Sequence, residues 1–272
     1  MATVRQMPYM GRKHSRRRHS IGGQDESSGA ATFEGSPDAD ILRLLARGHI
    51  SSCRELPWGS NYTFLATIVA DATQIRAVYK PRRGEAPLWD FPQGTLYLRE
   101  YASYVLSRGL GWPSIPPTVV RDGPWGIGSF QLYVDPLPGQ DYFSFHAQYA
   151  SELQKVAVFD ALANNADRKG GHCLLDRRGR LWVIDHGLTF NTDPKLRTVL
   201  WDWSGQAIPS EIVERMREVR PHLEPGEKLW ARLRKLLAGD ELDALARRWD
   251  GLLERPIFPL RGPYRSVPWP PF

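Results

Sequence analysis

Residues 160–190 read DALANNADRKGGHCLLDRRGRLWVIDHGLTF, and this stretch decides how the rest of the chain is interpreted. The apolar spacing before it predicts a buried helix over 152–162, which is followed by a polar loop rich in Asn and Asp. Two short apolar runs, 173–175 and 181–184, predict a hairpin. The stretch therefore predicts a helix, a loop and a hairpin, with Asp167 in the loop and Asp185 at the end of the second strand.

The chain before this stretch is rich in strand patterns. A short helix is expected from about residue 40 to Gly48, and a longer one over 95–110, where glycines 109 and 111 mark its end. Runs of β-branched and aromatic residues predict strands over 62–70, 74–79, 118–121 and 129–134. We expect a five-stranded antiparallel lobe with one inserted helix. The four runs account for four of its strands.

The chain after it is mainly helical. Amphipathic patterns predict helices over 210–219, 225–237 and 241–253, with Pro225 in a first turn and Gly239 as a cap. The last 17 residues contain six prolines and are expected either to pack back on the domain or to bind an aromatic-lined groove. The predicted class is α+β, divided into a disordered basic tail 1–38, a strand-rich N-lobe 39–135, a mainly helical C-lobe 136–255 and a Pro/aromatic-rich arm 256–272.

Composition supports a globular chain. Of 272 residues 42% are apolar and 24% charged, which excludes a disordered or collagen-like main body. The net charge of +6 comes from six basic residues within residues 1–22, because residues 23–272 hold 30 basic and 30 acidic side chains. We expect a solvated tail, with weak docking to anionic lipid or nucleic acid as the alternative. A specific nucleic-acid-reading motif was not recognised in the sequence.

The expected location is the cytoplasm. No window has the roughly 18 uninterrupted apolar residues that a membrane span requires, and residues 1–40 contain no apolar signal region. The two cysteines, Cys53 and Cys173, are too few for a disulfide framework, which favours a reducing compartment.

Four pieces of sequence occur in the order that phosphoryl transfer from ATP requires. The turn Gly59, Ser60, Asn61 would let backbone amides approach nucleotide phosphates. Lys80 ends a predicted strand and could contact the phosphates, although a lysine at a strand end is usually solvated. Glu100, on the next helix, could pair with that lysine.

The fourth piece is the opening stretch itself. Asp185 is suited to hold Mg²⁺, which takes oxygen ligands and needs only one or two from the protein. Asp167 can orient or deprotonate an acceptor hydroxyl. Aspartates and asparagines are also common in turns with purely structural roles.

Together these pieces resemble the phosphatidylinositol 3-/4-kinase-like branch of the protein-kinase-like fold, and most closely an actinobacterial family of proteins of this size. The resemblance covers residues 40–205 and implies a two-lobed kinase that uses ATP with Mg²⁺ or Mn²⁺. It also implies individual roles. Lys80 would bind phosphate, Glu100 would be its ion-pair partner, Asp167 the catalytic-loop aspartate and Asp185 the metal-binding aspartate. The adenine pocket would be lined by Gln131, Tyr133 and Val134.

One position departs from that family. Its catalytic loop usually carries Asn five residues after the Asp, as a second metal ligand, and this chain has His172 there. Imidazole prefers softer cations, although it can coordinate Mn²⁺. Either His172 serves as the ligand, or Asn164 or Asn165 replaces it, or turnover is impaired. A zinc site formed by His172, Asp185 and His186 lacks a fourth ligand.

The sequence leaves the acceptor open. A lipid, a small-molecule hydroxyl or a protein Ser or Thr would each fit, because the protein contributes mainly positioning and charge neutralisation. A nucleotide-binding pseudokinase that acts as a signalling or interaction module is the alternative function, favoured by His172 and the short phosphate turn.

Overall fold

The computed structural model describes residues 38–57, 61–262 and 265–272. The tail 1–37 and the phosphate-turn residues Gly59 and Ser60 lie outside this part. The strands are β1 (His49–Leu56), β2 (Thr63–Ala70), β3 (Thr73–Pro81), β4 (Thr118–Gly123), β5 (Gly126–Leu132), β6 (Cys173–Leu175) and β7 (Leu181–Val183). The helices are α1 (Ala39–Arg47), α2 (Leu96–Leu110), α3 (Tyr142–Phe145), α4 (Ala150–Ala163), α5 (Ser210–Val219), α6 (Lys228–Arg234) and α7 (Gly239–Glu254).

A five-stranded antiparallel sheet forms the N-terminal half, in the order β1-β2-β3-β5-β4. Side chains alternate between the two faces of a strand. On β3, Ala77 and Tyr79 are therefore buried in the core, and the Tyr79 ring stacks on Phe130 with centroids 4.2 Å apart. Lys80 faces the other way, opposite Ser129 of β5. Lys80 therefore lies on the face of the sheet opposite to the one that carries Ala77 and Tyr79.

β5 can approach the end of β3 closely because residue 128 is glycine. A Cβ at Gly128 would lie 2.4 Å from the carbonyl oxygen of Lys80. Any larger side chain would push the two strands apart beside the lysine.

Helix α2 is buried on most of its surface. Its apolar residues, including Ala102, Val105 and Leu106, belong to the main hydrophobic core. The helix contacts β4 and β5 on one side and α5 and α6 on the other. It therefore connects the sheet to the C-terminal helices.

The C-terminal half packs α4 against α7 and carries the two-stranded sheet β6–β7 beside them. The arm packs back along its described residues. Phe258 is buried, the main-chain N–H of Gly170 donates to the carbonyl of Pro271 at 2.8 Å, and that of Thr198 donates to Ser266 at 3.0 Å. In the described residues, no helix is long and apolar enough to cross a membrane. Both cysteines are free.

Several elements differ from the sequence predictions. Strand β1 was not among the runs identified, because it is a sheet edge with no fully buried side chain and so shows no clear alternation. The helix expected from Pro225 begins at Lys228, after a 3₁₀ turn over Arg220–Leu223. Gly239 is the first residue of α7 and not a cap between helices.

Candidate active site

Lys80, Glu100 and Asp185 meet although they are far apart in sequence. Lys80 Nζ donates to Glu100 Oε1 and, at 2.9 Å, to Asp185 Oδ1. The other carboxylate oxygen of Glu100, Oε2, accepts a hydrogen bond from the main-chain N–H of His186 at 3.0 Å. Glu100 is therefore held from both sides, by the sheet and by the segment that follows β7.

The charges in this group shift one another's pKa. Burial by itself would lower the pKa of Lys80, but the carboxylates of Asp185 and Glu100 outweigh it and raise that pKa. Burial would raise the pKa of Asp185, yet the charge of Lys80 and its hydrogen bond overcome this effect and hold the pKa well below its usual range. Lys80 and Asp185 are consequently both ionised at neutral pH.

Asp185 sits in a strained turn immediately beyond β7. Its φ is 61°, in the left-handed region that Asp tolerates better than most residues. The turn lets one carboxylate reach two partners, since Oδ2 lies 3.3 Å from His172 Nε2 while Oδ1 binds Lys80.

His172 is uncharged. Burial lowers its pKa to about 4, with Asp185 opposing the shift. The main-chain N–H of Lys169 points at Nδ1 at 3.4 Å, so Nδ1 is an acceptor and the proton belongs on Nε2, facing Asp185. Before His172 could bind a metal ion through Nε2, this proton would have to move to Nδ1.

A buried ion pair shapes the loop that carries Asp167. Arg168 donates to both carboxylate oxygens of Asp160 at 2.9 Å, and both side chains are fully buried. A further Arg168 nitrogen donates to the carbonyl of Ile184 at 2.8 Å, which ties the loop to the end of β7. Asn165 completes the arrangement, because its amide donates to Asp160 and its oxygen accepts from the main-chain N–H of Asp167.

Asp167 lies in the same cavity as the lysine group. This cavity, of about 160 Å³, is lined by Lys80, Glu100, Asp167 and Asp185 together with Asn61, Glu85 and Lys169. Burial raises the pKa of Asp167, and Lys169, whose Nζ is 3.5 Å from Oδ2, opposes the shift. A carboxylate with a raised pKa is a better proton acceptor than an ordinary aspartate.

The residues predicted to bind adenine surround the end of β5. Gln131 lies opposite Val78 of β3, and its amide donates to Thr118 at 3.0 Å. Tyr133 and Val134 follow the strand, which ends at Leu132 and not at Val134 as predicted. The Tyr133 ring packs under the guanidinium of Arg76 at 4.4 Å.

Of the three residues in the predicted phosphate turn, Asn61 is described. Its side chain accepts a hydrogen bond from the main-chain N–H of Ala86 at 2.7 Å and lines the cavity.

Asp185 and His172 would offer one carboxylate and one imidazole to a magnesium or manganese ion. In the described ranges, no group of three or more His, Cys, Asp or Glu side chains is placed to hold a metal ion. Two protein ligands are sufficient for Mg²⁺, which takes its remaining oxygens from phosphates and water.

The alternative ligands considered from sequence are engaged elsewhere. The Asn164 side-chain oxygen accepts from the main-chain N–H of Lys195 at 2.8 Å, and the Asn165 oxygen accepts from that of Asp167 at 3.0 Å. The ring of His186 receives a hydrogen bond from Arg168 at 2.7 Å, and burial keeps its pKa well below the usual range. The structure therefore does not support a second metal held by the asparagines or a zinc site that uses His186.

Three residues at or near the site were not identified from sequence. Lys169 lies beside Asp167, two residues after it, and this spacing was the available signal. Glu85 lines the cavity from the connection between β3 and α2, and its Oε2 is buried without a hydrogen-bond partner among the residues that the structure describes. Arg99 is buried beside Glu100, and nothing in its local pattern distinguishes it from a solvated helix arginine.

Comparison with known proteins shows to which family the chain belongs. No protein-family model matches it. Protein Rv2133c of Mycobacterium tuberculosis (strain ATCC 25618 / H37Rv) is 39% identical in an alignment 268 positions long that covers 86% of this chain and 96% of that protein. The chain belongs to the Rv2133c family.

More distant similarity points to kinases. Phosphatidylinositol 4-kinase gamma 4 of Oryza sativa subsp. japonica is 34% identical in an alignment 109 positions long that covers 33% of this chain and 19% of that protein. The crystal structure of the Golgi casein kinase with Mn/ADP bound aligns with 79% of this chain and 74% of its own, at a TM-score of 0.50 and 16% identity. This member of the Rv2133c family therefore has the protein-kinase-like fold.

Proposed function

We propose that the protein is an ATP-dependent phosphotransferase of the phosphatidylinositol 3-/4-kinase-like type that phosphorylates a hydroxyl acceptor. The observation that carries the proposal is the position of Lys80 Nζ, between Glu100 and Asp185, in the cavity that Asp167 also lines. A cation held by two carboxylates, beside a separate carboxylate with a raised pKa, suits charge neutralisation and proton removal at a single site.

Each side chain has one task in this reaction. Lys80 binds the phosphates of ATP, and Glu100 keeps its ammonium group in position. Asp167 accepts the proton of the acceptor hydroxyl as that oxygen bonds to the γ-phosphorus and the bond to the leaving ADP oxygen breaks. Mg²⁺ or Mn²⁺, held by Asp185 and His172, would neutralise phosphate charge. The nucleotide is bound by Gly59, Ser60 and Asn61 at its phosphates and by Gln131, Tyr133 and Val134 at its base.

The acceptor is a hydroxyl of a lipid, a small molecule or a protein. The partial match to a phosphatidylinositol 4-kinase supports a lipid acceptor, whereas the fold shared with a casein kinase supports a protein acceptor. A cytoplasmic location, where ATP is abundant, and weak contact of the basic tail with anionic membranes belong to the same proposal.

A nucleotide-binding pseudokinase is the second candidate. The specific observation in its favour is His172, whose protonated Nε2 faces Asp185 where a ligand for a second metal would be expected. In that case the protein would bind ATP and would not consume it.

Thermal-shift titration with ATP plus Mg²⁺ or Mn²⁺ tests the nucleotide site, because a ligand that binds the native state raises its melting temperature. We expect a metal-dependent rise that Asp185→Ala abolishes and that Asp243→Ala, at an exposed acid of α7, retains. Metal-dependent ATP consumption then separates the two candidates. Binding without turnover under either metal would leave the pseudokinase, and the absence of a shift would exclude both.

A further inference from the structure

Helix α2 is attached to the C-terminal helices by a buried arginine. Arg99, the residue before Glu100, is 1% exposed. Its Nη2 donates to Glu241 Oε1 at the start of α7, and its Nη1 donates to the carbonyl of Thr189 at 2.5 Å. Glu241 is also nearly buried, and its Oε2 accepts from the main-chain N–H of Ala238 at 2.9 Å. Each carboxylate oxygen of Glu241 therefore accepts a hydrogen bond.

The same turn of α2 is attached to the segment after Asp185. Thr189, which accepts from Arg99, donates through Oγ1 to the carbonyl of His186 at 2.7 Å. Ser103, one turn further along α2, lies 3.3 Å from this hydroxyl. Because the main-chain N–H of His186 binds Glu100, the segment 186–189 contacts α2 at consecutive turns.

The far end of α2 is held as well. Arg215 of α5 donates to the carbonyls of Gly109 and Leu110, the last residues of the helix. A Cβ at Gly109 would lie 2.8 Å from Leu229 of α6, so the glycine permits a close contact between the two helices. Helix α2 could not swing outward as a rigid body without breaking bonds at both ends.

We propose that Arg99 and Glu241 are positioning residues that hold Glu100 against Lys80, so that the C-terminal helices keep the phosphate-binding lysine permanently in place. The inference rests on the proposed function, because it assigns a purpose to the position of Glu100. Its physical basis is the cost of separating a buried pair, since each partner would be left as an uncompensated charge at an almost completely buried position. In the neighbouring Lys80–Glu100 pair the lysine side chain is only partly buried, so its ammonium group can change position at a lower cost.

The test uses three variants of the full chain. Glu241→Gln removes the charge and keeps the shape. The double variant Arg99→Met with Glu241→Leu replaces both charges by apolar side chains of similar size, which typically preserves stability. Asp250→Asn is the matched control, because it breaks an ion pair of α7 with Arg220 that does not involve α2. The readouts are the melting temperature, kcat and KM for ATP, and hydrogen–deuterium exchange of the α2 amides.

We expect both Arg99/Glu241 variants to exchange the amides of α2 faster than the native chain and to lose kcat by about tenfold or more, as for a misplaced catalytic group. The double variant should do so at a near-native melting temperature, and Asp250→Asn should show neither change. Native exchange and native kcat in the double variant would overturn the proposal, as would equal effects in the Asp250→Asn control. If the native chain itself has no turnover, the proposed function fails, and the exchange of α2 alone decides whether this pair positions the helix.

Discussion

His172 Nε2 lies 3.3 Å from Asp185 Oδ2, so the imidazole that we propose as a metal ligand contacts the aspartate that we propose as the other ligand. Imidazole favours softer cations, whereas the amide oxygen of asparagine favours Mg²⁺. Substitution His172→Asn should therefore shift the preference of ATP binding from Mn²⁺ towards Mg²⁺. This preference is measured in a thermal-shift assay with ATP, as the ratio of the half-saturating concentrations of Mn²⁺ and Mg²⁺. His146→Asn, at an exposed histidine on another surface, should leave the ratio unchanged, and an unchanged ratio in His172→Asn would remove His172 from the metal site.

Asp167→Asn should separate nucleotide binding from phosphoryl transfer. The asparagine keeps the size of the side chain but cannot take a proton, so ATP consumption should fall by roughly 10² to 10⁴ while ATP affinity stays near the native value. Steady-state ATP consumption and a binding titration check this, with Asp243→Asn, at an exposed position of α7, as the control. Equal loss of binding and turnover would show that Asp167 is needed to build the site and is not its proton acceptor.

The pH dependence of turnover should report Asp167. Its pKa is raised by burial and partly lowered again by Lys169. The base must be deprotonated, so activity is lost as the pH falls through this raised pKa. Lys169→Met removes the opposing charge and should move the acid limb of kcat/KM to higher pH. A limb that stays in place, or moves to lower pH, would mean that another group controls it.

The buried pair of Arg168 and Asp160 should dominate the stability of the loop that carries Asp167. Asp160→Asn leaves the guanidinium uncompensated at a fully buried position, which costs about 3 to 5 kcal/mol and corresponds to a fall in melting temperature of roughly 6 to 20 °C. Asp40→Asn, which breaks the exposed pair with Arg43, should leave the melting temperature close to native. Calorimetry of both variants measures the two melting temperatures. A similarly small change in both variants would contradict the stabilising role of the buried pair.

Elements with a strong local pattern could be predicted from the sequence. The hairpin β2–β3, helices α2 and α4 and the hairpin β6–β7 each show strand or helix periodicity, and the structure contains them within a few residues of the expected bounds. Strand β1 was not predicted because an exposed edge strand has no buried face to produce a pattern. Pro225 suggested a helix start too early, since a 3₁₀ turn precedes α6.

By itself the sequence determined which residue types are present and in what order: a lysine ending a strand, a glutamate on the next helix, and aspartates in a loop and after a hairpin. Only the tertiary structure decided which of them touch. Lys80 and Asp185 are 105 residues apart, and Arg99 and Glu241 are 142 apart. Local periodicity carries information about the face of one element, whereas a contact between distant side chains depends on how elements pack. The pairing of His172 with Asp185 and the attachment of α2 to α7 follow from that packing.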